Sequence, residues 1–243
     1  MSEKALRICH LYPDLLNLYG DRGNILCMRR RLEWRGIDAE VTEVTVGEQA
    51  DFTQFDLFFI GGGQDFEQEV LLSDLKAGKG SEIKAAIADG KTFLTICGGY
   101  QMLGKQIADP HGVETGGVIR GMGLLPVTTE LGEQKVRTRV GGEILGGMLD
   151  GCELSGYEIH MGISRPEGDC EPFCRIRDEI TGKERTDGIF AGNVCGTYVH
   201  GIFDHGSIAG KIVRHLAERK GLVLGEDGVD YGLFKEQQYD KLA

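Results

Sequence analysis

Proline is scarce, at 5 in 243 residues, and no stretch approaches the roughly 18 consecutive apolar residues that a bilayer span requires. Direct membrane insertion is therefore not expected. The opening segment MSEKALRICHLYP lacks the longer apolar core of a secretory signal, so a cytoplasmic location is the expectation. Positive charge is also in short supply. Lys and Arg total 27 against 38 Asp and Glu, a formal charge of -11, which argues against neutralising nucleic-acid phosphates or lying on anionic lipid. The seven cysteines, an odd number, contain no CxxC spacing, so neither a disulfide framework nor a thiolate metal site is expected, the Cys170–Cys174 pair standing alone. Glycine is what abounds. Its 38 residues are about twice average usage and follow no G-x-y period, which assigns them to turns.

Apolar periodicity gives the architecture. Leu6 to Leu11 is a short run of strand formers, followed by a polar turn holding Gly20, Asp21 and Gly23, then helical spacing at Ile25, Leu26, Met28 and Leu32. Gly36 stands where a helix C-cap belongs, and Ala39 to Val44 alternates as a strand. Leu57-Phe58-Phe59-Ile60 and Thr92-Phe93-Leu94-Thr95-Ile96 are uninterrupted apolar runs, as in strands buried on both faces, with two helical stretches between them over 65–89. The first run ends in Gly61-Gly62-Gly63; the second turns through Cys97-Gly98-Gly99 into the helical run that starts at Tyr100. This alternation predicts an α/β fold, a single doubly wound and mostly parallel sheet. Shorter strands follow at Leu124–Thr129, Val140–Leu145, Tyr157–His160, Phe173–Arg177 and Val194–Val199 and are expected to continue the same unit. An amphipathic helix over Ser207 to Lys220 stops at Gly221, and 226–243 forms a polar tail.

A cysteine between a buried strand and a helix, flanked by glycines, has the context of a nucleophile elbow; a small buried packing residue is the other reading. The loop of Gly61 to Gly63 should open beside it at the carboxyl edge of the sheet. A thiol nucleophile needs a base. His200 ends the strand that begins at Val194 and precedes Gly201, so it can meet Cys97 on that edge, and His160 ends its strand similarly. His10, His111 and His215 lie in a strand, a Pro-Gly loop and a helix, and are weaker candidates.

These residues also match a family. Thr95-Ile96-Cys97-Gly98-Gly99-Tyr100-Gln101 and Gly196-Thr197-Tyr198-Val199-His200-Gly201 resemble the nucleophile and histidine motifs of class I glutamine amidotransferases, in their cobyric-acid-synthase-like branch. The segment from Leu11 to Asn24 and Phe58 to Gly63 resemble the free-standing (GatD-type) glutaminase subunits of lipid II isoglutaminyl synthases. Tyr157-Glu158-Ile159-His160-Met161-Gly162 is closer to cobyric and cobyrinic acid synthases. The likeness runs from about residue 6 to 221 and implies an amidotransferase domain over 1–225.

The resemblance implies thiolate attack by Cys97 on the side-chain amide of L-glutamine, with His200 moving the protons and the N–H groups of Gly98 and of a glycine such as Gly62 or Gly63 holding the oxyanion. It makes Arg139 the candidate for the glutamine α-carboxylate, with Arg137 close by, and leaves Gln101 either lining the pocket or facing the loop of Gly63. No G-x-x-x-x-G-K-[ST] loop occurs. No cofactor is expected in this chain; ATP and Mg are expected in a separate Mur-ligase-like (MurT-type) synthetase forming a heterodimer with it, which would amidate the D-glutamate α-carboxyl of lipid II. Cobyrinate amidation and a non-catalytic scaffold are the alternatives. One departure stands out. Where most members carry a glutamate two residues after the histidine, this chain has Ile202, so Asp204, Asp21 or a partner's carboxylate must orient His200.

Overall fold

The computed structural model describes residues 5–63, 65–114, 116–204, 207–226 and 229–241, with the backbone alone over 65–69. The first half builds a parallel α/β layer. Strands β1 (Ala5–Leu11), β2 (Asp38–Val44), β3 (Leu57–Ile60) and β4 (Thr92–Ile96) alternate with helices α1 (Arg22–Trp34), α2 (Asp65–Asp74) and α3 (Gly80–Ala88). Between α2 and α3 the chain winds through a π-helical turn, Leu75–Lys79. β3 and β4 are buried along their whole lengths, as the unbroken apolar runs require of strands covered on both faces. Phe58 and Phe93, opposite each other in the β3–β4 register, stack with centroids 4.4 Å apart.

After β4 the chain enters the short helix α4 (Gly98–Leu103) and then leaves the parallel layer. The pattern after residue 120 predicts further strands of one sheet; the structure instead closes most of them into a second, largely antiparallel one. It comprises β5 (Gln106–Asp109), β6 (Gly117–Arg120), β7 (Val127–Ile144), β8 (Glu153–Pro166), β9 (Cys174–Asp178) and β10 (Glu184–Asp187), in the order β10-β9-β7-β5-β6 with β8 on β7. Two of the expected short strands, around Leu124–Thr129 and Val140–Leu145, fall at the two ends of the single 18-residue strand β7. Its middle is exposed and polar, so no apolar alternation marks it as strand. A register shift between Leu131 and Val136 interrupts its pairing with β8 and leaves residues 132–135 outside the ladder.

The chain then returns to the first sheet. β11 (Ile189–Ala191) and β12 (Val194–Thr197) complete the order β11-β12-β4-β3-β1-β2, in which every neighbour pair is parallel except β11 with β12. This sheet is the mostly parallel one that the alternation predicts. Helix α5 (Ile208–Lys220) packs on α1, buries Ile208, Ile212, Val213 and Leu216, and ends at Gly221 in the left-handed region, φ 68°. The polar tail contains a further helix, α6 (Tyr231–Asp240), whose Phe234 ring meets Trp34 of α1 edge to face at 5.0 Å. The two sheets are stitched at one antiparallel bridge: His200 N–H donates to the Tyr157 carbonyl at 2.9 Å and Tyr157 N–H to the His200 carbonyl at 3.3 Å.

Candidate active site

Cys97 occupies the turn between β4 and α4 with φ 50° and ψ -109°, one of only two non-glycine residues with positive φ among those described. Such a backbone costs about 1–3 kcal/mol and persists only where its surroundings enforce it. Here Cys97 N–H donates to the Thr197 carbonyl at 2.9 Å, Gln101 N–H to the Cys97 carbonyl at 3.0 Å, and Gly99 N–H to the Gly61 carbonyl at 3.1 Å. The glycines follow from crowding. A β-carbon at Gly99 would lie 2.7 Å from Ile60 Cγ2 and 2.8 Å from the Ile60 carbonyl oxygen. One at Gly62 would lie 2.9 Å from both Cys97 Cβ and His200 Cε1, and 3.3 Å from Asp21 Oδ2. The Cys97 β-carbon, the imidazole and the carboxylate therefore converge on the single point that Gly62 leaves empty.

His200 follows β12 and is fully buried, its ring stacked on Tyr157 at 5.4 Å and edge-on to Tyr19 at 5.3 Å. Its Nδ1 lies 2.9 Å from Asp21 Oδ1, and the other Asp21 oxygen accepts the Gly62 N–H at 2.7 Å. A carboxylate accepts only, so Nδ1 carries the proton and Nε2, which has no hydrogen-bond partner among the described residues, presents its lone pair. Asp21 thus occupies the place left open by Ile202, which is buried. Asp204 instead pairs with Lys235 at 3.5 Å. Asp21 immediately precedes α1, where an N-capping side chain would be expected, yet its carboxylate makes no cap bond.

A cavity of about 200 Å³ opens onto Cys97 and is also lined by Gly63, Gln101, Glu114, Lys135 and His160. Gly98 is buried directly behind Cys97 at the start of α4. Gln101 reaches the cavity wall while its Nε2 donates to the Tyr198 hydroxyl at 3.1 Å. Two of the expected residues are placed differently. The Gly62 N–H is already bound to Asp21 and points away from an oxyanion role, which leaves Gly63 as the glycine of that loop facing the cavity. Arg139 does not line the cavity: it stands in a neighbouring cleft with Tyr157, Glu179 and Asp204, because its register position opposite Tyr157 lies beyond the β7 irregularity. Among the described residues, the cation lining the cavity is Lys135, carried there by that irregularity, with Nζ 3.0 Å from the Tyr19 hydroxyl. Lys135 and Glu114 were not foreseen. Glu114 rides a loop gathered by the buried Asp109 carboxylate, which accepts N–H groups of Val113, Glu114 and Gly116 at 2.8–2.9 Å.

Three of the other thiols are poor competitors for chemistry. Burial raises Cys9 and Cys174 well above the ordinary thiol range and pushes Cys195 up to about 12. Cys97 alone combines a thiol with the cavity and the neighbouring imidazole.

Residues 7–208 match the CobB/CobQ-like glutamine amidotransferase domain. The chain is 44% identical over 170 residues to the cobyric acid synthase of Ruminiclostridium cellulolyticum, covering 66% of this chain and 33% of that protein. It therefore spans about a third of the length of that relative. It is 34% identical over 227 residues to the lipid II isoglutaminyl synthase (glutamine-hydrolyzing) subunit GatD of Staphylococcus aureus, covering 93% of this chain and 90% of that one. At the level of fold alone, it resembles the solved structure of PurLQS from Thermotoga maritima, with a TM-score of 0.58, 18% identity and coverage of 88% and 98% of the two chains. The chain belongs to the CobB/CobQ-like family of class I glutamine amidotransferases.

Proposed function

We propose that this chain is the glutaminase of an ATP-dependent amidating enzyme, hydrolysing L-glutamine and passing ammonia to a separate synthetase. The observation that carries it is the convergence of Cys97, His200 and Asp21 around Gly62. His200 Nε2 takes the Cys97 thiol proton, and the thiolate attacks the side-chain amide carbon of glutamine. The resulting oxyanion is held by the N–H groups of Gly63 and Gly98, and the imidazolium gives its proton to the departing ammonia. Water then cleaves the thioester, with His200 as base, releasing glutamate and restoring the thiol. Asp21 fixes the ring and balances its charge at each transfer. Lys135 takes the glutamine α-carboxylate, and Glu114, of opposite charge in the same cavity, takes the α-ammonium.

Among synthetases, the near full-length correspondence with a GatD subunit favours a Mur-ligase-like partner that amidates the D-glutamate α-carboxyl of lipid II, in a heterodimer holding ATP and Mg on the partner side. The higher local identity to cobyric acid synthase favours cobyrinate amidation as the second reading. Co-purification with an ATP-dependent ligase, followed by identification of the amidated carboxyl, separates the two. For the glutaminase itself, a glutamine-mimicking electrophile should add its mass to Cys97 and stop ammonia release. Cys97→Ala should abolish hydrolysis while sparing synthesis from added ammonia. Undiminished hydrolysis by Cys97→Ala would falsify the proposal.

A further inference from the structure

The glutamine cavity holds a second histidine that the chemistry above does not use. His160 lies on β8 at the cavity wall, and the carbonyl of its neighbour Ile159 sits 3.9 Å from Cys97 Sγ. Its ring cannot turn freely. It stacks on Tyr198 with centroids 3.9 Å apart, and the Tyr198 hydroxyl is pinned by Gln101 Nε2 at 3.1 Å and Ser164 Oγ at 2.7 Å.

The ring's surroundings specify where its protons are. Nδ1 lies 2.7 Å from the Gly162 carbonyl oxygen, which only accepts, so Nδ1 carries a hydrogen. Nε2 is buried without a hydrogen-bond partner among the described residues, and Glu158 Oε1 lies 3.8 Å from it. In a neutral ring with hydrogen on Nδ1, the Nε2 lone pair would face a carboxylate with nothing to accept from. Protonating Nε2 converts that opposition into an ion pair.

The charges behind the ring agree. Glu158 is 1% exposed and its second oxygen binds Arg185 of β10. Asp187, at the end of the same strand, accepts the Tyr198 N–H at 3.0 Å and a hydrogen bond from Thr197 Oγ1. With His160 protonated, two carboxylates meet two cations and the buried group is neutral; with His160 neutral and both carboxylates ionised, it holds an uncompensated negative charge beneath the cavity. Burial, then the Glu158 charge, raise the Asp187 carboxyl, while the hydrogen bonds from Thr197 and Tyr198 and, least, the charge on His160 act against that rise. Among the described residues, the other charged or titratable groups around the ring are Tyr198, stacked on it, and Cys97, Tyr19, Lys135 and Glu114, which line the same cavity.

We infer that His160 is a further functional residue of the glutamine site, an imidazolium sustained by Glu158 whose positive charge favours the Cys97 thiolate. This rests on Cys97 being the nucleophile. His200 moves protons; His160 keeps its own and contributes charge.

Imidazole ¹⁵N NMR on the wild-type chain tests the charge without any substitution, the His160 signals being assigned by through-bond correlation from the ring to the backbone of that residue. Both ring nitrogens should be protonated at neutral pH, and a neutral Nδ1–H ring there overturns the inference. The pH dependence of Cys97 alkylation by iodoacetamide tests the consequence. His160→Gln and Glu158→Gln should each move its midpoint up by about one pH unit, a roughly tenfold slower reaction below the midpoint. A purely structural role would leave the midpoint in place, and unchanged midpoints in both variants sink the inference. Wild-type Cys97 that resists the glutamine mimic would instead overturn the nucleophile assignment, while the NMR measurement still reports on His160. Should either variant fail to fold, that same measurement on the wild type decides.

Discussion

Asp21 shows what a single side chain adds to the site and why it is hard to see in advance. Cys97 and His200 announce themselves because each ends an apolar strand run and is followed by glycine, so local pattern and chemistry coincide. Asp21 sits 179 positions from the histidine it orients, in a Gly-rich turn before a helix, where an aspartate ordinarily signifies a cap. Its partnership exists only once β1 and β12 lie in one sheet. Asp21→Asn, similar in shape but able to favour the wrong imidazole tautomer, should lower kcat by about 10²–10⁴-fold with the fold intact, as steady-state ammonia release would register. His10 tests a different residue-scale effect. It is fully buried on β1, neither ring nitrogen has a partner among the described residues, and burial lowers its pKa from an ordinary 6.5 to about 4. Above pH 6.5 the neutral ring suits both states. As pH falls toward 4 the unfolded chain binds a proton that the folded chain refuses, so stability declines across that window by up to about 3 kcal/mol and is fully lost below it. Urea unfolding at pH 7 and pH 4.5 should therefore show a smaller loss for His10→Leu than for the wild type.

At the scale of elements, the loop joining β1 to α1 places Asp21, and its root is braced. Tyr12 begins that loop at φ 55°, fully buried, with its hydroxyl donating to Asp74 Oδ2 at 2.7 Å. Lys79, at the end of the π-helical turn and 1% exposed, binds the same carboxylate, donates to the Thr45 carbonyl at 2.7 Å and lies over the Tyr12 ring at 5.1 Å. Removing the carboxylate with Asp74→Ala would strand a buried ammonium and should cost about 3–5 kcal/mol of stability in denaturant titrations. The irregularity in β7 acts on the other wall, bringing Lys135 rather than Arg139 to the cavity. Helices and buried parallel strands were legible because their apolar residues repeat with period or run unbroken. The long β7–β8 arm was not, since solvent on its exposed face leaves its polar middle without a pattern, and a register shift has no compositional mark. Gly62 was legible as a tight-loop glycine, though not as the contact point of three side chains. Gly62→Ala, whose methyl would overlap Cys97 and His200, should abolish most glutaminase activity while changing the circular dichroism little.

Across the whole molecule, the C-terminal segment returns to the N-terminal half. Tyr231 of α6 lies under the Arg31 guanidinium at 4.7 Å, and Phe234 covers Trp34, the one tryptophan in the chain. That indole makes docking measurable: a chain ending at residue 226 should show red-shifted tryptophan emission, whereas an unaltered spectrum would mean that α6 does not cover Trp34 in solution. Lys235 extends from the same helix to Asp204, four residues beyond His200, so the far end of the chain touches the loop that follows the imidazole.

The paired amides of Tyr157 and His200, where the two sheets join, tie cohesion to reactivity. Any breathing motion that parts the layers pulls the Tyr157 ring off the imidazole and the β8 wall of the cavity away from Cys97 at the same instant. The hydrogen-exchange rate of those two protons would then mark how often the enzyme disarms itself. A ligand or protein that clamps the seam would keep it armed without touching the sulfur.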